Sequence, residues 1–386
     1  MQVRGFCDPA FARVREVFSD AVKSGAERGA VCLRHKGQTA LNLWGGAADP
    51  DADTPWKADT LACCFSVTKG VFALLAQRLI DIERIGLDVP VARYWPAFAQ
   101  GGKADITVRD LLSHRAGLPA VDGPVHEGSL YDTKDMESLL EASGPVAPPE
   151  AGPVYHNMTY GYLVGGLCAR ATGIPVRDLI RTELTDPIGA DFRIGLSKED
   201  QARCATLTQD DPEALFVALD DAPESIFARS MAFFARGENF NSRLWREAVI
   251  GSGNGHANAE GLAKVYEQFT NQSVLLSEDR RTAIRRQICE SVGDDPILGI
   301  PIRYGEGVEL SSPPHIDFGP NPSAVGYWGA GGAQAFADHD ADLSFGYVTG
   351  RMDAAMGSSD RARALVDAVY ECLRRAEKGP SDDRNT

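Results

Sequence analysis

Apolar positions along the chain follow two rhythms, one helical and one of strands. Over residues 9 to about 23, Phe11, Val14, Val17, Phe18 and Val22 recur at helical spacing, which predicts an opening helix. Two strand-like runs follow, 30–35 and 39–44, joined around Lys36-Gly37 as a hairpin. Beyond a Pro/Asp-rich loop (49–55), the stretch Leu61-Ala62-Cys63-Cys64-Phe65 leads into a helix over about 66–82. Val67, Val71, Leu74, Leu75 and Leu79 keep its register. Between about 85 and 285 short helical segments (108–112, 136–142 and 160–171) alternate with loops rich in Pro and Gly. Strands return at 334–337 and 343–349 around the turn 339–342. A last helix over 359–375 carries Ala362, Leu365, Val366, Val369 and Leu373 on one face.

This order predicts an α+β fold, an antiparallel sheet built from both ends of the chain and flanked by helices, with a mainly helical second domain. The expected division is 1–85 with 286–378 for the sheet domain, 86–285 for the helical one, and a disordered tail over 379–386. The cleft between the two domains is the expected site.

Composition narrows the function by exclusion. Fifty-four acidic against 39 basic residues give a net charge of −15, which argues against nucleic acid or an anionic membrane surface as partner. No apolar run has bilayer length, and the first residues lack the pattern of a secretory signal, so a cytoplasmic protein is expected. The eight cysteines form no C-x-x-C pair and the seven histidines are dispersed. Neither a metal nor another cofactor is expected.

Three segments carry chemistry. In Ser66-Val67-Thr68-Lys69 the i, i+3 spacing on a helix brings the amine to the hydroxyl. A desolvated lysine can then take the proton that keeps serine a weak nucleophile, and a helix start favours the developing negative charge. The same residues also fit a capped helix with an exposed lysine. In Tyr155-His156-Asn157 a phenol and an amide can converge on such a pair, the phenol as general base if two cations flank it; Asn157 can equally cap the helix that follows. In Gly326-Tyr327-Trp328-Gly329-Ala330-Gly331-Gly332 the glycines let backbone approach a ligand, although such a segment is also an ordinary turn before a strand. No G-x-S-x-G occurs, which speaks against a nucleophile elbow.

Taken in this order, the three segments resemble the serine β-lactamase and penicillin-binding protein superfamily, and within it the class C β-lactamase-like esterases, the family VIII carboxylesterases. Residues 108–119 (VRDLLSHRAGLP), 329–338 and 345–352 add to the resemblance, which covers about 11 to 373. It implies Ser66 as acylated nucleophile, Lys69 as its proton partner, Tyr155 as general base and Asn157 as a positioning group. It also implies an oxyanion hole from the backbone N–H groups of Ser66 and Ala330 beside Gly329.

The chain departs from the pattern at position 327, where the superfamily has Lys or His and this chain has Tyr327, followed by Trp328. Some related esterases carry an aromatic residue there. An aromatic wall suits an apolar group and offers a carboxylate no partner; His156 is a further candidate for substrate contact. The expected activity is therefore hydrolysis of short neutral esters through an acyl-enzyme, with a small-molecule ester as partner and the oligomeric state left open. A β-lactamase or D-amino-acid peptidase, an acyltransferase and a non-catalytic binding homologue are the alternatives.

Overall fold

The computed structural model describes residues 2–126, 128–209, 224–234 and 238–378. Its centre is a nine-stranded antiparallel sheet. The strands are β1 (Arg4–Cys7), β2 (Gly29–His35), β3 (Gln38–Gly45), β4 (Cys289–Glu290), β5 (Arg303–Tyr304), β6 (Glu309–Leu310), β7 (Val325–Trp328), β8 (Gln334–Asp338) and β9 (Leu343–Thr349). Their order across the sheet is β1-β3-β2-β9-β8-β7-β6-β5-β4, so both ends of the chain meet at the β2–β9 pair. The β2–β3 hairpin closes from His35 to Gln38 through Lys36 and Gly37, both at positive φ, as a tight two-residue turn requires.

Helices cover both faces. α1 (Ala12–Lys23) and α7 (Asp360–Lys378) pack against each other and on one face. There Val14, Phe18 and Val22 meet Leu365, Val366 and Val369 over Leu33, Leu41 and Phe345, which align across three strands. The expected opening helix is a 3-10 turn over Pro9–Phe11, capped by Asp8, before α1 begins. α2 (Val67–Asp81) packs on β7 of the other face and against α5 (Thr159–Thr172), in the helical region with α3 (Val108–Leu112) and α4 (Thr133–Ala142). Burial all round α2 explains its nearly continuous apolar sequence. α6 (Ala259–Glu267) covers β2, β8 and β9, so the division at residue 285 separates it from the strands it protects. Strands β1 and β4–β6 carry no sequence signal: β1 is a mostly exposed edge, and two-residue strands are too short for alternation to show. The expected tail, 379–386, lies outside the described residues.

Candidate active site

Ser66 sits where an extended segment turns into α2. Ala62–Cys63 pairs with His256–Ala257, and Cys64 N–H donates to Gly255 O at 2.8 Å. Phe65 then takes φ 43°, a left-handed conformation unusual for an aromatic residue, and the chain swings Ser66 to the helix start. The Ser66 side chain makes no capping bond. Its Oγ lies 3.0 Å from Lys69 Nζ, which also donates to Ser252 O at 3.0 Å. Lys69 has no exposed surface. A simple cap with a solvated lysine is therefore not what folds here.

Burial moves the Lys69 amine down to about 7, and the charge of Glu309 opposes that shift without cancelling it. Tyr155, 2% exposed, faces the Ser66 hydroxyl, and its ring centre lies 4.8 Å from Lys69 Nζ. Its hydroxyl is pushed well above the ordinary phenol range, chiefly by burial and then by Glu309, and the nearby Ser66 hydroxyl offsets only part of this. The flanking second cation that an ionised phenol needs is missing, because position 327 is a tyrosine. These shifts leave Lys69 the more readily deprotonated of the two.

The remaining expected residues divide. Asn157 is half-buried, directs its amide at Met231 Sδ (2.8 Å) and does not cap α5, whose first flanking residue is Met158. His156 is fully buried. Its Nε2 accepts from Leu118 N–H at 3.0 Å and its Nδ1–H donates to Val154 O at 2.6 Å. Burial takes it down to about 4, so it is a neutral structural group and supplies no charge to a substrate. Tyr327 is also fully buried, donating to Gly307 O at 3.2 Å and lying 3.3 Å from His114 Nε2. Trp328, its neighbour on β7, points to the opposite face by strand alternation and is 5% exposed, its indole N–H buried without a partner. The pair thus forms no open aromatic wall, because adjacent strand residues cannot share a face.

At Gly329 a Cβ would lie 2.4 Å from Cys64 O, so only glycine lets the end of β7 approach the segment before Ser66. The Gly329 N–H bonds Ala333 O at 2.7 Å and Gly332 N–H bonds Gly329 O at 3.0 Å, closing a turn that leaves exposed Ala330 at its tip. Gly329 therefore shapes the turn and spends its own donor there. The turn is pinned from α7. Arg361 Nη2 donates to Gly331 O (3.2 Å), Arg351 O (2.7 Å) and Asp353 Oδ2 (3.0 Å). Its Nη1 meets buried Glu27 at 3.2 Å and Thr349 Oγ1 at 3.3 Å.

Sequence reading missed Arg361, Ser252 and Asp295, whose Oδ2 accepts from Tyr155 N–H at 2.8 Å. None sits in a local pattern; each reaches the site from a distant segment. In the segment 254–258, Asn258 caps α6 (Gly261 N–H to Oδ1, 2.7 Å). Asn254 holds Ile250 N–H (2.8 Å) and so shapes the turn that presents Ser252 O.

A serine–lysine–tyrosine cluster with its lysine and tyrosine buried, set between an antiparallel sheet and a helical region, defines the serine hydrolases of the β-lactamase and penicillin-binding protein fold. The Beta-lactamase family model matches residues 14–370, and the chain belongs to that family. It is similar to Esterase/beta-lactamase LipL of Mycobacterium tuberculosis, at 30% identity over 97% of this chain and 89% of that protein. Among solved structures, a penicillin-binding protein homologue from Caulobacter crescentus has a TM-score of 0.87 at 32% identity, over 97% of this chain and 100% of that one. A family VIII carboxylesterase has a TM-score of 0.85 at 32% identity, with the same coverage.

Proposed function

We propose that the chain is a serine carboxylesterase hydrolysing short neutral esters through an acyl-enzyme on Ser66. One observation carries the reading: Lys69, without exposed surface and titrating near 7, lies 3.0 Å from Ser66 Oγ. In its neutral form the amine holds one N–H on Ser252 O and turns its lone pair to the serine proton. Ser66 Oγ attacks the ester carbonyl carbon as that proton passes to Nζ. The Tyr155 hydroxyl, facing Ser66, gives its proton to the departing alkoxide and takes the serine's proton back from Lys69, restoring the neutral amine. The N–H groups of Ser66 and Ala330 hold the oxyanion, and water then repeats the sequence on the acyl-enzyme. Capture by an alcohol in place of water would make the same intermediate serve acyl transfer.

Neutral substrates fit because position 327 supplies no cation to meet a substrate carboxylate, a contact worth roughly 1.5–3 kcal/mol where it exists. The family VIII carboxylesterase, and LipL, named as both esterase and β-lactamase, support the ester-hydrolase reading. No helix among the described residues is long and apolar enough to cross a membrane; a cytoplasmic site of action is part of this proposal. The test is a short-chain p-nitrophenyl ester against nitrocefin, with fluorophosphonate labelling mapped to its residue. The ester should win by about one to two decades in kcat/KM, with the label on Ser66 and absent in Ser66→Ala. Equal or faster nitrocefin turnover would instead assign a β-lactamase.

A further inference from the structure

We propose that His114, at the end of α3, is the positioning residue that sets Tyr155 against Ser66, by holding the backbone on both sides of it. The inference rests on the proposed role of Tyr155 and extends it. His114 O accepts from Val154 N–H at 3.0 Å, and His114 Nδ1 accepts from His156 N–H at 2.9 Å. One buried residue therefore grips the positions immediately before and after Tyr155. Asp295 takes the remaining N–H, that of Tyr155 itself. With those peptide planes fixed, the tyrosine ring has little freedom left beyond rotation about its own side-chain bonds. The imidazole limits that too, stacking on Tyr155 at 5.2 Å and 27°. It also stacks on Tyr160 (4.5 Å, 19°) and lies against Tyr304 (4.5 Å, 32°).

The hydrogen bonds also fix which nitrogen carries the proton. Nδ1 faces a backbone N–H and must present a lone pair, so the proton is on Nε2. From there it points to Tyr327 Oη, which passes its own proton to Gly307 O. A second proton on the ring would break the Nδ1 bond, and burial together with His156 and Lys69 holds the ring neutral. His114 adopts φ 59°, a conformation that asparagine tolerates better than most side chains. Neither ring nitrogen is left over for chemistry, and the residue acts only through Tyr155.

Three substitutions separate this role from general packing. Asparagine places its Oδ1 where Nδ1 stands and keeps the His156 acceptor; glutamine reaches the Nε2 position but leaves Nδ1 empty; leucine does neither. All three lose ring stacking and should lower Tm comparably. Measured on the full chain with a short p-nitrophenyl ester, His114→Asn should keep kcat within about tenfold. His114→Gln and His114→Leu should fall by about 10²-fold at unchanged KM, the scale expected for misplaced catalytic groups. In a Tyr155→Phe background His114→Gln should cost nothing further, because the residue it positions has lost its hydroxyl. Equal kcat for the Asn and Gln variants, kcat that simply tracks Tm, or full additivity with Tyr155→Phe would overturn the proposal. If no variant folds, long-range ¹H–¹⁵N spectra of wild type labelled with ¹⁵N-histidine decide: His114 must show unprotonated Nδ1 and protonated Nε2 from pH 6 to 9, and a protonated Nδ1 ends the idea. Fluorophosphonate labelling of Ser66 in wild type tests the underlying reading separately.

Discussion

The two flanks of Ser66 are held in place by opposite means. On the base side Lys69 and Tyr155 are surrounded by His114, His156, Tyr160, Tyr304 and Tyr327, fixed by neutral hydrogen bonds and stacked rings. Its two acids, Asp295 and Glu309, are both pushed upward by burial, and neither oxygen of Glu309 has a hydrogen-bond partner. On the side of the proposed oxyanion hole a guanidinium, Arg361, ties the 330–332 turn to Glu27 and Asp353 by ion pairs, although burial pushes the Glu27 carboxyl upward as well. The difference follows from what each flank must do. An amine working near 7 needs desolvation and few fixed charges nearby, since each would move its pKa. A turn presenting backbone N–H groups has no pKa to protect, so the strongest available anchor suits it.

The largest expected effect comes from breaking the base side at its centre. Lys69→Met keeps length and apolar fit but removes the base, and kcat/KM for a short ester should fall by about 10²–10⁴-fold. In wild type, protonated Lys69 below its pKa cannot accept the serine proton. Activity should therefore rise as pH increases through about 7, where burial places that amine. A wild-type profile flat from pH 5 to 9, or a Lys69→Met variant with normal turnover, would remove Lys69 from the mechanism.

The oxyanion side should answer mainly in stability. Arg361→Ala leaves Glu27, 3% exposed, as an unpaired buried acid, and breaking such a pair costs about 3–5 kcal/mol. Chemical denaturation measures it. kcat should also drop as the turn loosens, but by less than the roughly 10²–10³-fold of losing an oxyanion donor outright. Glu27→Gln, which removes the charge and keeps most hydrogen bonds, should be milder. Unchanged stability in Arg361→Ala would erase the proposed contrast between the flanks.

Legibility in the sequence tracked the range over which each feature is encoded. The helix of Lys69 and the β2–β3 hairpin were readable because period and turn chemistry lie within a few residues, and Ser66 and Lys69 share one helical turn. Tyr155 was readable as a motif, yet its electrostatics depend on what occupies position 327 and on how deeply both residues are buried. Tyr327 and Trp328 were misjudged together because a linear motif invites reading neighbours as one surface, whereas a strand sends them to opposite faces. Arg361, Asp295 and Ser252 left no local trace: each reaches the site through a hydrogen bond between a side chain and a backbone group far away in the sequence.

The smallest expected effect tests whether the base side is held by neutral bonds at all. The Tyr327 hydroxyl is the last link in the chain from His156 N–H through His114, ending on Gly307 O. Tyr327→Phe keeps the ring and its packing while leaving the His114 Nε2–H and Gly307 O without that partner. An unsatisfied buried polar group costs about 1–3 kcal/mol, so the variant should lose stability in that range, less than Arg361→Ala. Because Tyr327 has no exposed surface, KM for a short ester should stay unchanged. The Nδ1 bond to His156 persists in the variant, so Tyr155 remains placed and kcat should fall by no more than a few-fold. A large rise in KM would mean that the phenol touches substrate after all and that the site opens further in solution than the packed structure shows. A loss of kcat as deep as that of Lys69→Met would mean that the hydroxyl takes part in proton transfer, and the neutral-scaffold account of this flank would fail.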